Sequence, residues 1–548
     1  MQSDFLLFFL LLASGVVFLI TDSLRTRRKR LDAIRKNFGH LPHTTYKRTG
    51  ISKYWSAYRE KYPDKTYVDD LTWNDLGMED VFDCIDVCQS AVGQDFLYAL
   101  LHKPCAEPTL LAQREALIHA LSEEAFRVKT QMLFAKLGKC AGANPASVLF
   151  DAKLMILENP RRFFVSALLP LLAVPFLFLD YKAALALFVV FIAHNIWLYL
   201  KTQKLLEHQL ESLSYLMATL RCGRHLAKEM AAPCPAYAAR LENALMPVKN
   251  LGVSTAALAS SPQSELAALL QVFSMITLLP ILQYCKTMAR IQTLQTELQF
   301  VYELIGEVDT AAAILSYRES IAYFCTPTFA EDLRIEGHGV VHPLLAAAVP
   351  NDACIRNNWL LTGSNASGKS TFIKAMAVNS ILAQTIHTCT AQSYCLKPAA
   401  VISSMAIEDS IVDGESYFIA EIKSMQRIVA LADSGIFCYC FIDEILKGTN
   451  TLERIAASHA VLRHLHCANC LCVAATHDIE LTAALTDCYQ NFHFCEQLSD
   501  IGISFDYKLK QGPSTTRNAI RLLEYYNFPQ DIIAAATAYA QSEKNAVQ

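Results

Sequence analysis

The chain is 548 residues long, room for about three domains of ordinary size. A net charge of −4 excludes a global basic field that would draw it to nucleic acid. Hydrophobic residues make up 53%, more than a purely soluble protein usually carries, and the 18 cysteines, scattered and partly set in apolar runs, read as reduced cytosolic thiols and not as a disulfide framework.

The first element is apolar, Phe5 to Ile20, with "RTRRKR" following at Arg25 to Arg30. A signal peptide carries its charges before the apolar stretch, so residues 1–30 read as an uncleaved anchor with residue 25 onward in the cytoplasm. A linker, 31–67, leads to "TWNDLGMEDVFDCID", in which capping residues precede apolar residues at helical spacing. Residues 68–320 are predicted to form an all-α domain interrupted by a transmembrane hairpin, 163–200. Its arms are Phe163–Leu179 and Ala183–Leu200, separated by "DYK" and flanked by Arg161, Arg162, Lys201 and Lys204. Leu266–Tyr284 is also apolar, but Gln271, Pro280 and Gln283 interrupt it, and a further crossing would carry the rest of the chain outside. It reads as a buried or interfacial helix. With the anchor, the chain is expected to span a membrane about three times.

From about residue 321 the pattern changes to strands alternating with helices, the mark of an α/β domain with a largely parallel sheet that runs to 548. "CANC" at Cys467 to Cys470 has no second cysteine pair, and a structural zinc needs four ligands, so no metal is expected there. The apolar run "NWLLT" is followed by "GSNASGKST" and then by a helical pattern. Gly363, Gly368, Lys369 and Ser370 fit the phosphate loop G-x-x-x-x-G-K-[ST]. Its glycines let backbone N–H groups approach phosphates, Lys369 reaches the β/γ-phosphates, and Ser370 ligates Mg²⁺. The expected nucleotide-binding set is Gly363, Ser364, Asn365, Ala366, Ser367, Gly368, Lys369, Ser370 and Thr371. "CYCFIDE" reads as a buried strand ending in Asp443, which would hold Mg²⁺, and Glu444, placed to polarise an attacking water. A third apolar strand, "LCVAAT", leads to His477, read as a γ-phosphate sensor.

Together these parts describe an ABC-type ATPase core (a P-loop NTPase), preceded by the all-α domain. Such cores work as pairs, with ATP held between one phosphate loop and a partner's signature loop. The signature candidate is "EDSIVDGESYFIAEI", in which Gly414 and Ser416 would bind the partner's γ-phosphate. "LLTGSNASGKSTFIKAMAVNSILAQ", "DSIVDGESYFIAEI", "FIDEILKGTNTLE" and "ATHDIEL" resemble the ATPase domain of the MutS family, in the family's order. "VVHPLL" and "VPND" resemble its lead-in, and "LGMEDVFDCIDVCQSAVGQDFLYALL" and "ELIGEVDTAAAILSYR" the start and end of its core helical domain. The resemblance implies a homodimer through the ATPase domains, ATP and Mg²⁺ as cofactors, and mismatched or branched DNA as a ligand. Two departures run against the DNA part. Residues 1–67 leave no room for the family's mismatch-reading domain, and the membrane hairpin stands where the family extends levers to a DNA clamp. Leu446 and Lys447 replace the Gly-Arg of the family's "IDEIGRGTST" run. Ala347, Ala348 and Val349 stand where the family stacks an aromatic on adenine, and "PSTTRNAIRLLEYYNFP" replaces its "SYGI" run. The competing reading is an ABC-type ATPase coupled to a membrane process, or a nucleotide-gated scaffold without DNA.

Overall fold

The structure, a computed structural model, describes residues 21–22, 24–42, 50–104, 107–139, 142, 144–151, 157, 159–251, 273, 275–364, 367–405, 417–446, 449–499, 502–514, 526 and 528–546. The anchor expected at Phe5–Ile20 lies outside them, as do Asn365, Ala366, Gly414 and Ser416. The chain divides into two compact units. One takes Met1–Pro63, Cys84–Ala99 and Ala112–Ser320; the other takes Asp64–Asp83, Leu100–Leu111 and Ile321–Gln548.

The first unit is helical. Its longest element, Tyr181–Met230, has 50 residues and so runs about 75 Å. The helix Gln295–Ser320 is buried along most of its length, polar residues included. Each buried charge on it has a partner. Glu307 meets Arg114 at 3.1 Å and the Tyr237 hydroxyl at 3.0 Å. Arg318 holds Glu115 with two hydrogen bonds, and Asp309 accepts from the Ser90 hydroxyl at 2.6 Å and the Ser90 N–H at 2.9 Å. Burial still raises the Asp309 carboxyl to about 6, although these hydrogen bonds oppose the shift.

The expected hairpin takes a different form in its first arm. Only Pro160–Leu168 is α-helical; Leu169–Ala173 and Pro175–Phe178 are 3₁₀ turns. Pro170 and Pro175 cannot donate the hydrogen bonds that would continue the α-helix. The second arm is the start of the long helix. Among the described residues, Tyr181–Leu206 is the one stretch long and apolar enough to cross a membrane, and only 17% of its most apolar window is buried. Leu266–Tyr284 is also not one helix where it is described. The helix begins at Leu279, after Leu278 turns the backbone left-handed with φ 51°. Pro280 follows, so the carbonyl of Ile276 has no N–H four residues on. The Asn195 side-chain amide supplies one instead, at 2.8 Å.

The second unit is a layered α/β domain. A six-stranded sheet has the order β10 (Lys510–Gln511), β9 (Tyr489–His493), β4 (Asn358–Thr362), β8 (Cys470–Ala475), β7 (Cys438–Asp443) and β6 (Ala400–Ser404). All pairings are parallel except that of β10. β4, β7 and β8 are buried at every position, which is why they read as unbroken apolar runs. The helix Lys369–Thr385 is buried nearly all round. It packs on β6, β7 and β8 and reaches a second sheet, where Ser380 meets the Tyr394 hydroxyl at 2.9 Å. That sheet is β1 (Thr328–Phe329), β5 (Ser393–Leu396), β2 (Ile335–Val340) and β3 (Asn351–Ile355). Helices Tyr417–Ala432 and Thr451–Cys467 cover the other face of the large sheet through Met425, Ile428, Leu462 and Leu465.

The outer edge of β6 is closed by a segment from far upstream. Asp69 caps the short helix Asp70–Asp75 by accepting from the Thr72 N–H. The Thr72 hydroxyl then accepts from the Ser403 N–H at 3.1 Å, and Asp75 accepts from the Met405 N–H at 3.1 Å and the Ser403 hydroxyl at 2.9 Å. Arg427 pairs with Asp69 and donates to the Ser403 carbonyl.

Candidate nucleotide-binding site

The site gathers at the C-terminal ends of parallel strands, where open α/β sheets bind ligands. β8 lies between β4 and β7, with Leu361 opposite Ala475 and Ala475 opposite Asp443. The three connections that leave these strands, after Thr362, Asp443 and Ala475, therefore emerge side by side. They carry the phosphate loop, the Asp443–Glu444 pair and His477.

The phosphate loop needs its glycines. Gly363 has φ 143° and Gly368 φ 106°, a region that side chains disfavour. A Cβ on Gly363 would stand 2.5 Å from the Phe494 carbonyl oxygen. Lys369 opens the following helix and is 4% exposed; its ammonium donates to the carbonyls of Gly363 at 2.7 Å and Ser364 at 2.9 Å. Ser370 and Thr371 lie exposed on the first helical turn. Ser367 is buried, and its hydroxyl meets no protein partner among the described residues.

Asp443 closes β7 almost fully buried, with Oδ1 also unpartnered by protein among the described residues. A buried carboxylate oxygen in that condition calls for a cation, so Asp443 fits a Mg²⁺ ligand. Glu444 adopts a left-handed backbone, φ 60°, rare for a residue with a side chain. Its N–H donates to the Ala475 carbonyl at 3.0 Å, and its Oε1 lies 2.8 Å from His477 Nε2. The side chain of Glu444 is 12% exposed and that of His477 40%. Thus the two residues expected to act on the attacking water and on the γ-phosphate are in contact.

A cleft of about 550 Å³ extends from the loop. Ser364, Ser367, Gly368, Lys369, Ser370 and Thr371 form one end. Ala347, Ala348 and Val349, the small residues in the place of an aromatic, line it together with His342, Leu345, Phe494 and Tyr507. Tyr507 Cδ1 would lie 3.2 Å from a Cβ on Gly368, so its ring borders the phosphate loop. Asn351 fixes that position, donating to the Tyr507 carbonyl and accepting from the Leu509 N–H, each at 2.9 Å. Burial, with the Lys374 charge, lowers His342 to about 4, so this ring is neutral at pH 7. Sequence reasoning missed Phe494 and Tyr507, which no motif spacing announces; Asn351 lies in "VPND", but its contact with Tyr507, 156 residues away, is non-local.

Residues 359–543 match the model of MutS domain V. This region of the chain is similar to MutS domain V. Among curated proteins the chain is similar to DNA mismatch repair protein MutS 2 of Halobacterium salinarum, 28% identical over 266 residues, covering 45% of this chain and 29% of the relative. It is similar to DNA mismatch repair protein MutS of Thermus thermophilus, 28% over 240 residues, covering 43% and 29%. The protein of that name from Natronomonas pharaonis matches at 28% over 242 residues, covering 42% and 28%. The chain thus spans under a third of the length of these relatives. The MutS match covers β4 from Trp359 onward, the phosphate loop, Asp443, Glu444, His477 and Tyr507. The apolar arms at 160–206 lie outside it.

Proposed function

We propose that this protein is a MutS-type ATPase that is anchored in a membrane and hydrolyses ATP with Mg²⁺ between two paired ATPase regions. The observation that carries the reading is the convergence of Lys369, Asp443, Glu444 and His477 at the C-terminal ends of adjacent strands, with Glu444 and His477 2.8 Å apart. The loop N–H groups and the N-terminus of the helix Lys369–Thr385 receive the phosphates. Lys369 moves from the loop's own carbonyls to the β/γ-phosphates. Ser370 and Asp443 hold Mg²⁺, which when bound neutralises charge on the phosphates. Glu444 takes the proton of the attacking water, and His477 holds the carboxylate from the other side. Tyr507 and Phe494 supply apolar ring surface for the base. Gly414 and Ser416 of one copy complete the site of the other.

The membrane part rests on the apolar arms. Phe178 is 89% exposed, Leu179 81% and Leu205 70%. The 20 helical residues Tyr181–Leu200 span about 30 Å, and the α and 3₁₀ turns of the first arm about the same. Lys201 lies over the Trp197 ring at 5.0 Å and Arg162 over Phe163 at 4.7 Å, an arrangement suited to the headgroup layer. On this topology both ends of the hairpin, and the ATPase region, are cytoplasmic.

The test is ATP turnover by the purified full chain. Wild type turns over, and Glu444→Gln lowers kcat by roughly 100-fold or more while nucleotide affinity stays within about twofold. Turnover that survives Glu444→Gln removes it from its role. Release of the chain from membranes by alkaline carbonate alone would rule out the anchor. DNA binding rests on the names of the relatives; a mismatch-against-homoduplex assay decides it, and no binding near ~50 mM salt, where phosphate contacts are strongest, excludes it.

A further inference from the structure

The turn Thr476–Asp478 carries His477, and it is braced on two sides. Thr476 donates its N–H to the Leu361 carbonyl of β4 at 3.0 Å, and its hydroxyl accepts from the Asp478 N–H at 3.0 Å. Asp478 has a charged partner. Arg454 Nε donates to Oδ2 at 2.9 Å and Nη2 to Oδ1 at 2.6 Å. The pair is mostly shielded, with Asp478 11% and Arg454 23% exposed. Two parallel hydrogen bonds from a planar guanidinium fix orientation as well as distance.

Arg454 is placed by the segment that begins with Glu444. β7 ends at Asp443, Glu444 and Leu446 both have positive φ, and the helix Thr451–Cys467 starts at its cap Asn450. The cap accepts from the N–H groups of Leu452 and Glu453, and Arg454 stands in the same first turn. The chain therefore leaves the sheet at Glu444, and the helix that follows is capped at Asn450. It is tied back by Arg454 to the residue adjoining His477, which in turn holds Glu444. The contacts close a ring around the two side chains.

We infer that Arg454 and Asp478 are positioning residues of the ATPase, whose forked ion pair sets the 476–478 turn so that His477 holds the Glu444 carboxylate in place. Neither touches the reacting atoms. The inference rests on the proposed hydrolysis, and its effect belongs to kcat, since neither residue lines the nucleotide cleft.

A double-mutant cycle on the full-length protein tests it, with kcat at saturating ATP and nucleotide affinity measured separately. Arg454→Gln and Asp478→Asn are each expected to lower kcat roughly 10- to 100-fold, with affinity within about twofold. In a His477→Ala background the same changes are expected to cost no more than about a further twofold, because the group they position is gone. The swap Arg454→Asp with Asp478→Arg is expected to regain part of the loss. Wild-type kcat in the single variants overturns the inference, and so does a loss that multiplies unchanged onto His477→Ala, which marks a merely structural pair. If Arg454→Gln does not fold, Arg454→Lys, which keeps charge and loses the fork, carries the same readouts. A wild-type chain that shows no turnover, or turnover unchanged by Lys369→Ala, removes the hydrolysis itself and this role with it.

Discussion

The strand Cys438–Asp443 and the arm Tyr181–Leu200 are both read from apolar sequence, and they meet opposite fates. In the strand, Tyr439, Cys440, Phe441 and Ile442 are all 0% exposed, covered by helices on both faces of the sheet. In the arm, Leu185, Val189, Val190 and Trp197 are each more than half exposed. At about 25 cal/mol per Å², the first set stabilises a fold; the second gains nothing until something apolar covers it. Hydropathy alone says that a residue prefers to leave water. Whether it leaves into protein or into another medium is decided by what else the chain brings to that face.

Placing the same charge in both regions breaks the comparison most sharply. Phe441→Asp buries an unpaired carboxylate and is expected to cost more than about 4 kcal/mol, abolishing folding of the sheet and nucleotide binding as followed by thermal melting and a fluorescent nucleotide. Val189→Asp is expected to leave nucleotide binding intact and to weaken membrane retention. If it instead unfolds the chain, the arm is a protein-covered core helix.

Next in size is Asp309. Its folded value near 6 exceeds the ordinary 3.8, so the folded state holds the extra proton between these values, and stability falls as pH rises through that window. The contribution is roughly 3 kcal/mol at one proton. The stability difference between wild type and Asp309→Asn, measured by urea unfolding from pH 4 to 7, should slope accordingly; a flat difference contradicts it. Asn195→Leu leaves the Ile276 carbonyl unpaired and is expected to cost about 1–3 kcal/mol, read as a lower melting temperature with unchanged nucleotide affinity. The smallest effect belongs to the exposed pair Arg463–Asp487, whose side chains are 48% and 57% exposed; its removal should shift stability by at most about 0.5 kcal/mol.

Much of the ATPase side was legible. "NWLLT", "CYCFID" and "LCVAA" are short apolar runs bounded by turn or acid residues, and each is a fully buried strand. Lys369, Asp443, Glu444 and His477 follow those strands directly, so local pattern also located them. What the sequence hid is non-local. Nothing near Asn351 says that it pins Tyr507, and "ER" at 453–454 looks like any solvated helix turn until Asp478 is beside it. The 3₁₀ form of the first hairpin arm is invisible to hydropathy, which counts proline as tolerable, while Pro170 and Pro175 withhold N–H groups and tighten the backbone into 3₁₀ turns. The break at Leu278 follows the same chemistry.

The short helix Asp70–Asp75 bears on how this protein is handled at the bench. Cutting the chain at residue 321, or at the limits of the MutS match, would seem to isolate a complete ATPase. Such a fragment lacks Thr72 and Asp75, so the N–H groups of Ser403 and Met405 would face water along a bare sheet edge, and Arg427 would lose Asp69. Exposed strand edges recruit further strands. The excised fragment is therefore expected to associate edge to edge, and a fusion that restores residues 64–83 to suppress that association.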